Sequence, residues 1–206
     1  MATKKLIIVL LFLCHAPLGA KELMFNVFMN NKAVGTHLYQ INDSKVVSKA
    51  NYQIRFMFMN FKYKHESFET YEDGCLIGIE SRTDDDGELY NVSGSGSKKG
   101  LNVVANDKTL NLPGCVSTFT YWDSNIVNKT QLLNAQNAEL LDIETTKVGN
   151  EELDLAGVNK KATHYQLRAT ISGKEKFIIH LWYDEDGNWL QLLTPTVAGD
   201  LIYKRL

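Results

Sequence analysis

Apolar and polar positions alternate with a period of two along most of this chain. Leu23, Phe25, Val27 and Met29 interleave with Met24, Asn26 and Phe28, and Asn30-Asn31-Lys32 then turns the chain into a second run over 34–41. A period of two places every second side chain on one face, so it predicts antiparallel strands with one face covered. After Asn42-Asp43-Ser44 a long strand is predicted over 46–60. It carries Tyr52, Ile54, Phe56 and Phe58 on one face and Arg55, Met57 and Met59 on the other. Further strands are predicted over 61–71, 75–82, 88–93 and 101–105. They are separated by the turn chemistry of Glu72-Asp73-Gly74, Asp84-Asp85-Asp86-Gly87 and Lys98-Lys99-Gly100.

Past Pro113-Gly114 the alternation is lost. Residues 119–136 tolerate a helix, and a short helix or irregular crossing is predicted near 123–133, capped by Asp123 or Ser124. Strands resume over 140–148, 151–158, 161–171, 174–183, 189–193 and 201–206. About a dozen strands joined mostly by hairpins cannot stay a flat open sheet. The predicted fold class is therefore all-β and mainly antiparallel: a strongly curved sheet, barrel or half-barrel, with the crossing segment over one mouth.

The first twenty residues read differently. Lys4 and Lys5 precede the apolar run 6–13, and small residues at Gly19-Ala20 end where Lys21-Glu22 turns polar, which is the pattern of a secretory signal peptide over 1–20. The run is far shorter than the roughly 20 apolar residues a membrane-spanning helix needs. Lipidation at Cys14 is disfavoured by bulky Leu13 before it. Cleavage leaves a single β-rich domain over 21–206, exported to the periplasm or beyond the cell. Loss of Lys4 and Lys5 moves the formal charge from −2 to −4. A mildly acidic chain with scattered lysines lacks the basic stripe of a nucleic-acid binder. Cys75 and Cys115 remain, in a compartment where disulfides persist; a bridge between them is favoured over two buried thiols.

Candidate chemistry gathers on the strand 61–71. Tyr63, His65, Ser67, Glu69 and Tyr71 share one face, which suits either the wall of a partly wet cavity or a solvated face with paired charges. His164, Gln166 and Arg168 share a face on a later strand, as do His180 and Trp182 on the next, and both are candidates to extend the same site. No cofactor is implied. Metal binding is disfavoured because His37, His65, His164 and His180 stand on separate predicted strands without close ligand spacing. His65 and Glu69 are roughly 13 Å apart along a strand, too far for direct contact. The acidic sequences 84–88 and 184–188 read as hairpin turns, since the twelve-residue calcium loop with its closing Glu is absent. No Gly-x-Ser-x-Gly elbow occurs.

Several spaced pieces resemble an uncharacterised family of small exported bacterial proteins, a domain of unknown function. They are Phe25-x-Val27 with Val34-Gly35-x-His37, then Tyr63-x-His65-x3-Glu69-x4-Gly74-Cys75-Leu76, and Thr83-Asp84 with Gly87. Pro113-x-Cys115, Tyr121-Trp122, Leu132-Leu133-Asn134-x-Gln136 and Leu181-Trp182-Tyr183 follow. The resemblance implies a β-rich exported domain with both cysteines in the shared pattern, and it lends no catalytic residue. Asn137-Ala138 departs from the Thr-Gly-like turn expected there.

Three functions compete. The first is a non-enzymatic envelope protein holding a lipid or other apolar or amphipathic ligand in a curved sheet, suggested by Phe56, Met57, Phe58 and Met59 on both faces of one strand. The second is an interaction module for another envelope protein, with Tyr121, Trp122, Trp182 and Trp189 as anchors. The third is a hydrolase or isomerase using the Tyr63, His65 and Glu69 face. The leader reading carries its own test: N-terminal sequencing of exported protein should begin at Lys21 or within a residue or two, and a chain still starting at Met1 would refute it.

Overall fold

The computed structural model describes residues 20–56, 59–155 and 157–206, so the leader with Cys14, and Met57 and Phe58, lie outside the described residues. The described residues form one 14-stranded sheet, antiparallel at every strand pair. Its first half is β1 (Lys21–Met29), β2 (Lys32–Asn42), β3 (Lys45–Phe56), β4 (Met59–Glu72), β5 (Cys75–Asp85), β6 (Glu88–Ser97), β7 (Gly100–Ala105) and β8 (Lys108–Pro113). Its second half is β9 (Gln131–Leu133), β10 (Leu140–Leu155), β11 (Val158–Ile171), β12 (Lys174–Tyr183), β13 (Trp189–Thr196) and β14 (Gly199–Arg205). Each half is a meander in which every strand pairs with the next. The halves join where β1 pairs with β14, from Phe25↔Arg205 to Met29↔Leu201. The sheet is curled rather than closed, because β8 and β9 are its ends and do not pair with each other.

Turn chemistry explains the hairpins. Asn30-Asn31, Asp73-Gly74 and Asp86-Gly87 all take positive φ at both positions, the backbone that lets a two-residue loop follow the twist of its strands. The Gly87 amide donates to Asp84 Oδ1 at 2.8 Å, and Asp184 Oδ1 accepts from the Asn188 amide at 2.8 Å, so both acidic sequences are turns. The core lies on the concave face. Phe25 and Val27 are fully buried, and the Phe25 ring lies 3.9 Å from that of Trp189.

The structure corrects the sequence reading in three places. The strand predicted over 46–60 ends at Phe56, and Met59 and Asn60 open β4 with Phe56 paired to Met59. A strand missed in the sequence, β8, follows Asn106-Asp107. The two strands predicted over 140–148 and 151–158 are one, β10, whose register slips at Val148 between Lys147 and Gly149. An extra residue at such a bulge exchanges the two faces. That slip is what made β10 look like two elements. The short helix or irregular crossing predicted near 123–133 is an irregular crossing with one 3-10 turn, Ser124–Asn128, capped by Asp123, whose carboxylate accepts from the Asn125 amide. Among the described residues no helix is long and apolar enough to cross a membrane.

The crossing segment holds the curl in place. Beyond the end of the β5–β6 pairing at Gly78, the free edge of β5 takes the crossing chain instead: the Leu76 amide donates to the Val116 carbonyl at 2.8 Å. One residue on, the Ser117 carbonyl accepts from the Leu133 amide of β9 at 2.8 Å. The same stretch is tied covalently, since Cys75 and Cys115 form a disulfide across a sequence separation of 40. A loop of that size contributes on the order of 3–4 kcal/mol by restricting the unfolded chain. Cys75→Ser and Cys115→Ser should each lower the melting temperature by roughly 6–16 °C, and the double variant should fall no further. Additive losses in a calorimetric scan would show that the two positions act independently.

Candidate functional site

Register places the inward residues of β2 to β5 in rows across the concave face. One row is His37, Ala50, His65 and Thr83; the next is Tyr39, Ser48, Ser67 and Ser81; a third is Ile41, Val46, Glu69 and Ile79. The middle of this wall is therefore built from short side chains. Interiors are otherwise packed to crystal density, so short residues at Ser48, Ala50 and Ser67 leave space unfilled. The result is a cavity of about 340 Å³, within the range of small-molecule sites. Phe119 and Trp122 of the crossing segment, Phe177 and Ile179 of β12, and Leu192 of β13 supply its apolar lining.

Gly35 shapes the outer end of this wall. A Cβ there would lie 2.1 Å from the Asn51 carbonyl oxygen, so only glycine lets β3 approach this closely. Beside it the rings of Tyr52 and Tyr63 stack at 4.7 Å. The Tyr63 hydroxyl donates to Gln136 Oε1 at 3.3 Å, and Gln136 donates onward to Asp85 Oδ2 at 3.2 Å. These bonds fasten the loop after β9 over the cavity, with the Ser81 hydroxyl donating to the Ala135 carbonyl at 2.5 Å.

Glu69 is the buried acid of the site. Ser67 donates to its Oε1 at 3.0 Å; Tyr71 and Thr118 donate to its Oε2 at 2.5 Å and 2.8 Å. Burial raises its carboxyl above the ordinary 4.5 in spite of those three donors. The two histidines of the wall are also buried, and loss of solvent lowers His37 to about 3 and His65 to about 4. His65 Nδ1 pairs with Thr83 Oγ1 at 2.8 Å. His37 Nε2 and Ser48 Oγ are 2.7 Å apart, the spacing of a nucleophile and its base. No group orients that base, because His37 Nδ1 is buried with no hydrogen-bond partner. An imidazole held at about 3 also accepts a proton poorly at neutral pH.

Of the residues singled out in the sequence, Tyr63, His65 and Glu69 line the cavity. The expectation that His164, Arg168, His180 and Trp182 extend that wall is corrected. Tyr165 and Leu167 pack into the concave core, and the intervening parity puts His164 and Arg168 on the convex face. His180 and Trp182 alternate likewise with Ile179, Leu181 and Tyr183. There His164 Nδ1 meets Glu151 Oε1 at 2.7 Å and His164 Nε2 meets His180 Nδ1 at 2.8 Å, while Trp182 Nε1 donates to Glu151 Oε2 at 3.1 Å. Arg168 pairs with Glu144 at the surface. The aromatic anchors proposed for a partner are not free either: Trp182 and Trp189 are 6% and 1% exposed, and Tyr121 and Trp122 turn toward the cavity. Ser48, Ala50, Tyr203 and Thr118 are lining residues that the sequence reading missed.

A model of the family described as Domain of unknown function (DUF6134) matches residues 25–206. The chain belongs to that family. No curated protein matches it. The fold is similar to that of a beta-barrel-like protein of Domain of Unknown Function DUF1849 from Brucella abortus, with a TM-score of 0.63 at 12% identity, covering 92% of this chain and 96% of that one. The Mycobacterium tuberculosis lipoprotein LppX aligns with a TM-score of 0.32 at 10% identity, over 91% of this chain and 86% of that one. The Brucella likeness shows that the curled, barrel-like sheet of this DUF6134 chain recurs elsewhere.

The buried groups make stability depend on pH in opposite directions. As pH falls below 6.5 the unfolded chain protonates His65 first, so stability present above that value is lost down to about 4. That shift is worth about 3 kcal/mol. As pH rises above 4.5 the unfolded chain ionises Glu69 first, so its contribution, full at lower pH, declines toward the raised value. In urea titrations across pH, His65→Gln should flatten the acid-side loss and Glu69→Gln the loss on the alkaline side of 4.5. Variant profiles running parallel to the parent's would contradict the burial argument.

Proposed function

We propose that this is an exported, non-enzymatic binding protein whose curled sheet holds a small amphipathic ligand. The observation that carries the reading is the cavity itself: about 340 Å³ enclosed by Phe119, Phe177, Ile179 and Leu192 on one side and by a hydroxyl- and imidazole-bearing wall on the other. An apolar body with one polar end matches that division. Export is supported by the leader pattern over 1–20 and by the Cys75–Cys115 bond, which suits an oxidising compartment. A periplasmic or extracellular carrier or sensor of amphiphiles is the resulting role.

Short Ala50, at the centre of the polar wall, gives the test. Ala50→Leu adds bulk into the space without touching a polar group, so it should abolish 1-octanol binding measured by calorimetry while leaving circular dichroism unchanged. Organic extraction of protein purified from the exporting host, followed by mass spectrometry, should also release an amphiphile. A clean extract together with no 1-octanol binding would overturn the reading.

A further inference from the structure

We propose that the polar group this cavity recognises is a protonated amine, held between the Glu69 carboxyl and the surrounding aromatic rings; this rests on the amphiphile reading above. Glu69 is 7% exposed, yet it makes none of the ion pairs found among the described residues. Buried carboxyls are ordinarily paired with a cation. Among the described residues the lining contains no lysine or arginine, and Glu69 is its only carboxylate. Its donors are unevenly placed, two on Oε2 and one on Oε1. A carboxylate oxygen accepts about two hydrogen bonds, so Oε1 keeps one acceptor position open.

Three head groups can be compared on these terms. An anion would meet no opposite charge and would sit near a carboxyl. An alcohol could hydrogen-bond but would leave the carboxyl without a counter-charge. An ammonium supplies both a further donor and the missing charge, and the aromatic rings of Tyr39, Phe119, Tyr121 and Trp122 line the same space. The groups facing Glu69 do not compete for the charge. Ser67 and Thr118 do not titrate, burial raises the hydroxyls of Tyr71 and Tyr39 well above their ordinary value, and His37 and His65 stay neutral above about 3 and about 4.

Calorimetry on the mature protein with octylamine, 1-octanol and octanoate tests the assignment at constant chain length. Octylamine should bind at least about tenfold more tightly than 1-octanol, with octanoate weakest. Glu69→Gln should remove the advantage of octylamine over 1-octanol measured on the same variant. Equal affinities in the parent, or an amine advantage that survives Glu69→Gln, would overturn the assignment while leaving the amphiphile reading intact. Failure of all three to bind would overturn the assignment, and together with a clean extract it would remove the amphiphile reading as well. The parent protein gives an independent readout should the variant not fold. Bound amine fixes the charge on Glu69, whose carboxyl burial holds above the ordinary 4.5, so octylamine affinity should rise as pH is raised from that value while that of 1-octanol stays level. A flat octylamine profile would also overturn it.

Discussion

The interior of this protein depends on how the crossing segment grips the sheet it crosses. A curled sheet whose end strands do not pair has nothing in its own ladder to fix its curvature. Residues Cys115 to Thr118 provide that constraint, bonded to β5 through Leu76, to β9 through Leu133 and to β4 through the Thr118 hydroxyl on Glu69. The backbone bonds alone would close the bottom of the curl. The Thr118 contact does more, because it places the segment against Glu69, the one buried acid among the described residues, and so sets the depth of the cavity above it.

The polar wall and the cavity have a common origin. Inward positions of a large sheet normally carry branched and aromatic residues, as β1 does with Leu23, Phe25 and Val27. On β3 to β5 the same positions carry Ser48, Ala50, Ser67 and Ser81, which cannot reach the opposite wall. Hydroxyls left there need partners, and they find them in His37, Glu69 and the Ala135 carbonyl. Replacing them by apolar residues of full size would make a better core and no site.

Most of the fold was legible because one rule, side chains alternating across a strand, governs almost the whole chain. It failed where the rule itself is broken. The bulge at Val148 exchanges faces without a turn residue, and β8 is short, opening with polar Lys108 and Thr109 before Leu110 and Leu112. Alternation also identified the Tyr63, His65 and Glu69 face, but it cannot say which side of a sheet is concave. For that reason His164 and His180 were grouped with a wall they do not belong to. Ser48, Ala50 and Thr118 carried no signal as chemistry. Their signal is smallness at inward parity, visible only once the curl is known.

The pairing of β1 with β14 bears on how the molecule acquires its shape. The first strand to emerge and the last are neighbours in the middle of the sheet, separated by almost the whole sequence. Until Leu201 and Tyr203 arrive, Phe25 and Val27 have only one flanking strand and no cover from Trp189. Contacts of such long sequence separation are entropically expensive to close and give slow folding. A nascent chain of this order cannot complete its core in stages from the N-terminus. Completion of the core therefore waits for β14 to pair with β1.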